Sequence, residues 1–368
     1  MRSSLLVRLI TAALLLLGLS LFMGERWEDF KLRAVPYLSY LTLRNNPLLS
    51  ENDADLASAA DGDAGRQRID RAELLSGGPP KDGIPALDNP RFDTKATTPF
   101  TGSELILGVV VNGEAKAYPY GILNWHEIVN DTVGGLPVTI TYCPLCDTGI
   151  TFERRVNGRT TTFGVSGKLF QSCLVMYDRL TDSLWSQPWG TGIFGNETNS
   201  VLNRLPTYKT TLGAWLEAYP RSKILSADTG YSRDYFRYPY GSYFTNSRLI
   251  FPVRNVEKVS GHVKESLYII WEADEQTPLN RFSGKRLAFF FKEIEKRGVV
   301  NGTFGAVRVA AFRDHRTGAV RIFETTGEVE RVQESTVIYR GGGEEKLEML
   351  REVPSTAGFA FVYPALFE

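Results

Sequence analysis

The 368-residue chain has few of the side chains that most often do chemistry, with only three cysteines and three histidines. Three cysteines are too few for a disulfide framework, and a chain of this length can bury a core large enough to fold without one. Lysine and arginine number 42, as do aspartate and glutamate, so the basic excess typical of nucleic-acid binding is missing. The composition therefore argues against a disulfide scaffold and against nucleic acid as a partner.

The common motifs of hydrolases and nucleotide-binding enzymes are also missing. The sequence contains no G-x-S-x-G, no H-E-x-x-H and no P-loop. His126-Glu127 resembles the start of H-E-x-x-H, but Asn130 stands where the second histidine is required. No enzyme class is therefore predicted from motifs.

The first 24 residues are typical of an export signal. Residues 9–23 (LITAALLLLGLSLFM) are apolar and follow Arg2 and Arg8, which is the layout of a signal peptide or signal anchor. With residues 4–7 added, the stretch approaches the ~20 residues that span a bilayer. We expect residues 1–24 to be a membrane-inserted signal anchor or a cleaved signal peptide. The rest would then be extracytoplasmic, periplasmic or at the cell surface, where thiols can oxidise.

From residue 25 the composition changes twice. Residues 25–44 mix aromatic with basic side chains, as expected beside a membrane. Residues 45–66 are rich in Asp, Ala, Ser and Gly and carry too little apolar content to fold. We therefore expect residues 25–68 to be a juxtamembrane segment and flexible linker, and residues 69–368 to form the globular domain.

The globular part is predicted to be a β-rich α+β domain. Apolar, β-branched runs such as LILGVVV and LPVTITY recur along it. Asn112-Gly113 and Asn157-Gly158 are typical of two-residue hairpin turns. The second turn is expected to join residues 150–156 to residues 160–166 in one hairpin.

Two short helices are predicted within this β-rich pattern. One covers about residues 120–129, where Ile122, His126 and Val129 recur at i, i+4 and i+7. The other covers about residues 212–218 and is stopped by Pro220.

An internal repeat organises the domain. Residues 113–153 align without a gap with residues 284–324, and nine of the 41 positions are identical. The identical pairs are Gly113/Gly284, Ala117/Ala288, Val129/Val300, Asn130/Asn301, Thr132/Thr303, Gly134/Gly305, Val138/Val309, Phe152/Phe323 and Glu153/Glu324. We infer two copies of one helix-plus-strands unit in a single domain.

Framework residues persist between the copies, whereas reactive ones differ. Cys143, Cys146, His126 and Glu127 align with Asp314, Thr317, Arg297 and Gly298. Packing cysteines would be expected to be replaced by small apolar residues, and Asp and Thr are not apolar. This comparison favours chemistry in the first copy and a scaffold role for the second.

The run TYCPLCDTGITF contains the strongest candidate site. Cys143 and Cys146 leave one predicted strand and enter another, with Gly149 available for a positive φ, whereas a thioredoxin-type C-x-x-C opens a helix. The two-residue spacing lets both sulfurs share one ion, and a complete site needs further ligands. Cys173 and His126 are the candidates to supply them. Three sulfurs and an imidazole suit zinc, iron or cuprous copper, and we prefer copper or zinc.

Other interpretations of the same residues stay open. Cys143 and Cys146 could form a short disulfide that braces the turn, with Cys173 buried and inert. His126 could be a core histidine bonded to a carbonyl, and Glu127 could be solvated or lie beside the metal.

Two further stretches carry candidate residues. Asp178, Arg179, Trp185 and Gln187 could orient the ligands from behind the metal, or Asp178 and Arg179 could form an ion pair that fixes a hairpin. Residues 231–244 (YSRDYFRYPYGSYF) are rich in Tyr and Arg, which suits a protein- or glycan-binding surface or a loop packed over the sheet.

Several of these runs together resemble a known family. The stretches KDGIPALDNPRF, AYPYGILNWHEIVND, TYCPLCDTGITFER, FGVSG and MYDRLTDSLWSQPWG look like the bacterial and archaeal family catalogued as domain of unknown function 3179. The resemblance covers most of residues 69–365. It implies an exported or membrane-anchored protein with its HE and CPLC motifs at residues 126–127 and 143–146, and it implies no activity.

Three functional hypotheses result. The first is a metal-binding protein of the cell envelope, with Cys143, Cys146, His126 and Cys173 around one copper or zinc ion. The second is an envelope thiol-disulfide oxidoreductase, in which Cys143 attacks and Cys146 resolves. The third is a non-catalytic domain that binds glycan or protein, with a structural disulfide.

Overall fold

The computed structural model describes residues 67–273 and 284–368. The predicted signal segment, residues 1–24, and residues 25–66 of the predicted linker lie outside these ranges. Residues 240–250 belong to a compact unit separate from residues 67–239 and 251–368, and they contain one 3-10 turn at Tyr243–Thr245. Among the described residues, no helix has the length and apolar character needed to cross a bilayer.

The described chain forms short helices and many strands, as the β-branched runs predict. The helices are α1 (Tyr120–His126), α2 (Leu212–Ala218), α3 (Phe291–Arg297) and α4 (Val362–Phe367). The strands are β1 (Leu74–Ser76), β2 (Leu87–Asp88), β3 (Phe92–Asp93), β4 (Leu105–Val111), β5 (Glu114–Pro119), β6 (Ile128–Val133), β7 (Leu136–Cys143), β8 (Thr148–Glu153), β9 (Arg155–Val156), β10 (Arg159–Thr160), β11 (Phe163–Phe170), β12 (Cys173–Asp178), β13 (Leu184–Ser186), β14 (Thr191–Phe194), β15 (Arg204–Leu205), β16 (Tyr208–Thr211), β17 (Lys223–Leu225), β18 (Ser266–Ala273), β19 (Gly284–Phe290), β20 (Val299–Phe304), β21 (Val307–Arg313), β22 (Val320–Thr325), β23 (Val329–Gln333), β24 (Thr336–Tyr339), β25 (Glu344–Lys346) and β26 (Thr356–Phe359). This confirms a β-rich α+β fold.

The strands form several small, mostly antiparallel sheets. The first part of the domain has three five-stranded sheets, in the orders β1-β11-β12-β13-β14, β15-β8-β7-β6-β2 and β16-β4-β5-β17-β3. The later part has three three-stranded sheets, in the orders β19-β18-β26, β20-β21-β22 and β23-β24-β25. A two-stranded β9-β10 ribbon links the first two five-stranded sheets along the chain.

The two copies of the sequence repeat have the same order of elements. In the first, β4 and β5 form a hairpin, α1 follows, and β6, β7 and β8 form an antiparallel meander. In the second, β18 and β19 form the hairpin, α3 follows, and β20, β21 and β22 form the meander. Both helices end in a residue with positive φ, which is Glu127 (58°) in one copy and Gly298 (76°) in the other.

A shared asparagine joins each meander to the sheet that follows it. The Asn130 side chain accepts from the Phe163 amide at 2.9 Å and donates to the Phe163 carbonyl at 2.8 Å. Asn301 makes the same two bonds with Val329, at 2.9 and 2.8 Å. One amide side chain thus satisfies both backbone groups of an edge residue, which explains why this position is identical in the two copies.

The predicted turns and helices differ from the observed ones at two places. The turn at Asn157-Gly158 is present, but it joins only the two-residue strands β9 and β10. The expected long hairpin was wrong, because β8 and β11 pair in different sheets. The predicted helix over residues 120–129 ends at His126, since Glu127 adopts a positive φ and Ile128 begins β6. The helix over residues 212–218 is confirmed.

The last strand of the chain lies against the turn that carries the C-x-x-C motif. The Phe359 amide donates to the Cys146 carbonyl at 2.9 Å, and Thr356 Oγ1 donates to the Gly149 carbonyl at 3.0 Å. An added Cβ at Gly358 would stand 3.1 Å from the Thr148 methyl group, so β26 approaches the turn closely. The C-terminal part of the domain therefore helps to enclose the first copy's candidate site.

Candidate functional site

The C-x-x-C motif forms a tight turn between two paired strands. Strand β7 ends at Cys143, β8 begins at Thr148, and the Cys146 amide donates to the Cys143 carbonyl at 3.3 Å. In this turn Asp147 has a positive φ, at 55°. Gly149 was expected to be the residue with a positive φ, and that prediction was wrong. Gly149 lies within β8, where an added Cβ would stand 2.5 Å from the Leu107 side chain. Its small size is therefore needed for packing.

The three cysteines meet in the interior. Cys143, Cys146 and Cys173 are at most 2% exposed and form no disulfide. Cys146 lies close enough to Cys143 and to Cys173 for both of them to affect the pKa of its thiol. The charge of a Cys143 thiolate also raises the pKa of Cys173. The three thiols therefore form one buried group, called here the sulfur row, in which the Cys146 thiol interacts with both of the others.

Thr148 and Gln187 hold the Cys146 sulfur of this row. Thr148 Oγ1 lies 3.1 Å from Cys146 Sγ and donates to Gln187 Oε1 at 2.8 Å. Gln187 Nε2 donates to Thr141 Oγ1 at 3.0 Å and to the Thr148 carbonyl at 3.3 Å. Because Gln187 follows β13, these bonds connect the sheet of β13 to that of β7 and β8. The structure thus brings Gln187 to the sulfur row, but not Asp178, Arg179 or Trp185.

Burial has the largest effect on the pKa values of the three thiols. It raises the pKa of Cys143 and Cys146 well above the usual value of a thiol, and it raises the pKa of Cys173 as well. The neighbouring Glu127 also raises the pKa of Cys143 through charge repulsion with its thiolate. Since the thiolate is the reactive and metal-binding form, all three groups are held in the less reactive form in the absence of a cation.

His126 does not join the sulfurs, although it is fully buried on α1. Its Nδ1 lies 2.7 Å from the Pro85 carbonyl, and its Nε2 lies 2.7 Å from the Tyr235 hydroxyl. A carbonyl can only accept, so Nδ1 carries the proton and Nε2 accepts from Tyr235. Both nitrogens are occupied, which matches the alternative of a core histidine bonded to a carbonyl. The hypothesis of His126 as a ligand therefore does not fit this arrangement.

Glu127 occupies the junction between α1 and β6. It is 7% exposed, which excludes the interpretation as a solvated surface residue. Its carbonyl accepts from the Tyr142 amide at 2.7 Å, one residue before Cys143. The residue thus stands beside the sulfur row, where its charge acts on Cys143.

Asp178, Arg179 and Trp185 build a turn elsewhere in the fold. Asp178 accepts from the Thr181 amide at 2.7 Å and from Trp185 Nε1 at 3.0 Å, so it stabilises the turn between β12 and β13. Arg179 instead pairs with Asp88 at 2.9 Å. The predicted Asp178–Arg179 ion pair was wrong, because the two side chains have different partners. These contacts also give the three residues no orienting role at the sulfurs.

A buried ion pair next to the cysteines was not anticipated from the sequence. Asp147 is 1% exposed, forms an ion pair with Lys209 of β16, and accepts from the Tyr142 hydroxyl at 3.2 Å. The Tyr120 ring packs 4.4 Å from the Tyr142 ring, and its hydroxyl has no hydrogen-bond partner among the described residues. The only signal in the sequence was an aspartate directly after CPLC, because the lysine lies 62 residues away.

Residues 231–239, the part of the tyrosine-rich segment that belongs to the same unit as α1, pack on this helix. Tyr235 is buried and bonded to His126, whereas Phe236 is 70% exposed. The guanidinium groups of Arg233 and Arg237 lie 6.0 and 5.9 Å from the centre of the Trp125 ring. Part of the segment is thus a loop packed over the domain, and part remains exposed. Its role in glycan or protein binding stays a prediction.

Comparisons with known proteins identify one similarity. A family model described as "Protein of unknown function (DUF3179)" matches residues 81–368. No curated protein and no solved structure matches the chain. Within residues 67–273 and 284–368, no group of three or more His, Cys, Asp and Glu side chains stands ready to hold a metal ion.

Proposed function

Since the chain belongs to the DUF3179 family, whose description assigns no activity, we propose its function from the site itself: a cell-envelope protein that binds one soft metal ion through Cys143, Cys146 and Cys173. Copper(I) or zinc is the preferred ion, because thiolates select these metals. The cell-envelope location rests on the apolar, positively flanked residues 1–24.

The observation that carries the proposal is the convergence of all three cysteines of the chain. They come from the end of β7, from the β7–β8 turn and from the start of β12, so Cys173 lies 27 residues beyond Cys146 and in another sheet. Each of the other two thiols nevertheless affects the pKa of Cys146, which supports their convergence. A fold that needed only small apolar residues here would gain nothing from three thiols, and the second copy of the repeat carries none.

Metal binding would need a small rearrangement of the row. Cys146 already interacts with both other thiols, and we expect rotation of the Cys143 and Cys173 side chains to bring three sulfurs around one point. A bound cation would favour the thiolate form and offset the burial that now raises the pKa of these thiols. Thr148 would continue to orient Cys146 through its hydroxyl. Three sulfurs suit trigonal copper(I), whereas zinc would need a fourth ligand.

The two other hypotheses have less support. A thiol-disulfide oxidoreductase must present a sulfur to its partner, whereas these sulfurs are at most 2% exposed and their pKa values are raised. A domain with a structural disulfide would require an oxidised pair, and all three cysteines are free.

The test is metal analysis of the reduced full-length protein in detergent. After anaerobic reconstitution with copper(I) or zinc and removal of excess by a competing chelator, we expect one equivalent of metal. Cys143→Ser and Cys146→Ser variants should lose it, and His126→Gln should keep it. Wild-type protein that retains no metal, or a triple Cys→Ser variant that retains as much, would overturn the proposal. Circular dichroism of each variant verifies that it is folded.

A further inference from the structure

A small polar cavity is lined by residues from two of the five-stranded sheets. Strand β2 stands at the edge of one sheet, and β17 and β3 lie at the edge of another. The cavity is lined by residues 87–91, which belong to the KDGIPALDNPRF run, and by residues 225–226 and 228–230, which follow from β17. Its volume is about 220 Å³, below the range of about 300–1,000 Å³ of pockets for drug-sized ligands, so it suits a smaller molecule.

The charged groups of the cavity already have partners of opposite charge. Asp88 accepts from Arg179 at 2.9 Å and from Asn130 at 2.8 Å. Asp228 forms an ion pair with Arg91. A metal ion would have to compete with both guanidinium groups for the carboxylates, and an anion would have to displace Asp228 from Arg91. The cavity therefore suits an uncharged ligand that forms hydrogen bonds.

A chain of hydrogen bonds from His126 fixes the role of Thr229 in the cavity wall. His126 accepts at Nε2 from the Tyr235 hydroxyl, because its Nδ1 donates to the Pro85 carbonyl. Burial lowers the pKa of His126, which favours this neutral form. Since Tyr235 gives its proton to His126, its oxygen accepts the proton of Thr229, to which it is hydrogen-bonded. Thr229 therefore has no proton left for a ligand and can only accept.

Ser226 offers the complementary group. Its oxygen accepts from the Asp228 amide at 3.2 Å, and its proton has no acceptor within residues 67–273 and 284–368. Ser226 can thus donate to a ligand and Thr229 can accept from it, and hydroxyl groups of one ligand satisfy both because each can do either. Leu87 and Leu225, at 4% and 1% exposure, add apolar surface to the same wall.

We propose that this cavity binds one ring of a neutral sugar, either free or as a unit of a glycan. A sugar ring carries uncharged hydroxyl groups beside apolar C–H faces, which matches a donor, an acceptor and apolar surface within one small cavity. Sugar binding does not depend on the metal, because the cavity and the sulfur row share no residue. The sugar site precedes the tyrosine-rich segment, residues 231–244, in the sequence.

Ligand-detected saturation-transfer NMR tests the proposal on the full-length protein, in a detergent without sugar head groups. The probes are glucose, galactose, mannose and N-acetylglucosamine, with glucuronate and glucosamine as charged counterparts. We expect at least one neutral sugar to bind, and to bind more tightly than either charged one. Tighter binding of an N-acetylglucosamine oligomer than of the single sugar identifies a glycan as the source, and equal binding identifies a free sugar.

Variants of Thr229 decide whether the cavity is the binding site. Thr229→Val keeps the shape and removes the acceptor, so we expect roughly threefold to tenfold weaker binding. Thr229→Ser should restore binding, and Thr326→Val, at an exposed threonine, should leave it unchanged. Three results refute the site: no neutral sugar binds, a charged sugar binds more tightly than every neutral one, or a Thr229→Val variant that is folded by circular dichroism binds as wild type does.

Discussion

Thr317 donates a 2.8 Å hydrogen bond to the carboxylate of Asp314, and these residues occupy the positions of Cys146 and Cys143 in the second copy of the repeat. Both are buried, at 0% and 4% exposure. Gly318, with φ 69°, takes the place of Asp147, with φ 55°. Each copy thus has a turn with a positive-φ residue at this position, and in the second copy, where no thiols are present, a hydroxyl–carboxylate bond stabilises it. The turn does not need sulfur to form, which supports a chemical role for the cysteines.

Thr148 should be important for stability as well as for the sulfur row. A Thr148→Val substitution removes the donor to buried Gln187 Oε1 and leaves that oxygen unsatisfied, which costs about 1–3 kcal/mol. Urea unfolding followed by fluorescence measures the loss. Thr326→Val, at an exposed threonine, is the control and should change stability by less than about 0.5 kcal/mol. Equal effects of the two changes would contradict the bonding described for Thr148.

The buried thiols should make the reduced, metal-free protein less stable at alkaline pH. Their pKa values are raised by burial, so the folded state holds its protons when the unfolded chain has begun to release them. Their contribution is complete below the unfolded pKa of about 8.5 and is lost as pH rises through the folded pKa. Above pH 8.5 each thiol adds a slope of up to about 1.4 kcal/mol per pH unit.

Urea unfolding between pH 7 and 9.5 measures this slope below the range in which unfolded tyrosines ionise at about pH 10. A folded triple Cys→Ser variant should have a flatter profile than wild type over this interval. Identical profiles would show that the thiols ionise alike in the folded and unfolded states.

The Lys209–Asp147 pair should cost much more to break than an exposed pair. Lys209→Met leaves the Asp147 carboxylate buried with the Tyr142 hydroxyl as its described partner, and removal of one partner of a buried pair costs about 3–5 kcal/mol. The matched control is Arg91→Met, whose ion pair with Asp228 has side chains 73% and 64% exposed. That change should cost at most about 1 kcal/mol. Thermal or urea unfolding of both variants provides the comparison, and a difference near zero would count against a buried pair.

Asn130 and Asn301 should contribute differently to the free energy of unfolding, although their side chains make the same two backbone bonds. Asn130 is 2% exposed and holds a fully buried Phe163, whereas Asn301 is exposed. Asn130→Ala should cost about 1–3 kcal/mol for each buried backbone group it leaves unpaired. Water can replace the side chain of Asn301, so Asn301→Ala should cost about 1 kcal/mol or less. Free energies of unfolding for the two variants test this order, which a larger loss in Asn301→Ala would reverse.

Local patterns predicted the β-rich fold well, because strands and tight turns depend on short-range features. Asn112-Gly113 forms a tight hairpin with both residues at positive φ, as its dipeptide indicates. The 171-residue offset relates β5, α1 and the β6–β8 meander to their later counterparts. The end of α1 was missed, since its apolar period continues to Val129 while the backbone reverses at Glu127.

Long-range partners could not be predicted in the same way. Cys173 was a candidate further ligand beside Cys143 and Cys146, whereas the partners of His126 come from Pro85 and Tyr235, 41 and 109 residues away. No periodicity or spacing connects these positions. The choice between a ligand and a core histidine was therefore decided by tertiary contacts alone.

Strand β26 has a consequence for the order in which the site is assembled. Thr356 bonds to Gly149 across 207 residues of chain, which take about 10–40 s to synthesise at typical rates. Throughout that interval the newly made polypeptide carries its cysteines without the strand that closes over them. Completion of the C-x-x-C turn is thus a late event, and a chain truncated before residue 356 would lack the bonds from β26 to Cys146 and Gly149.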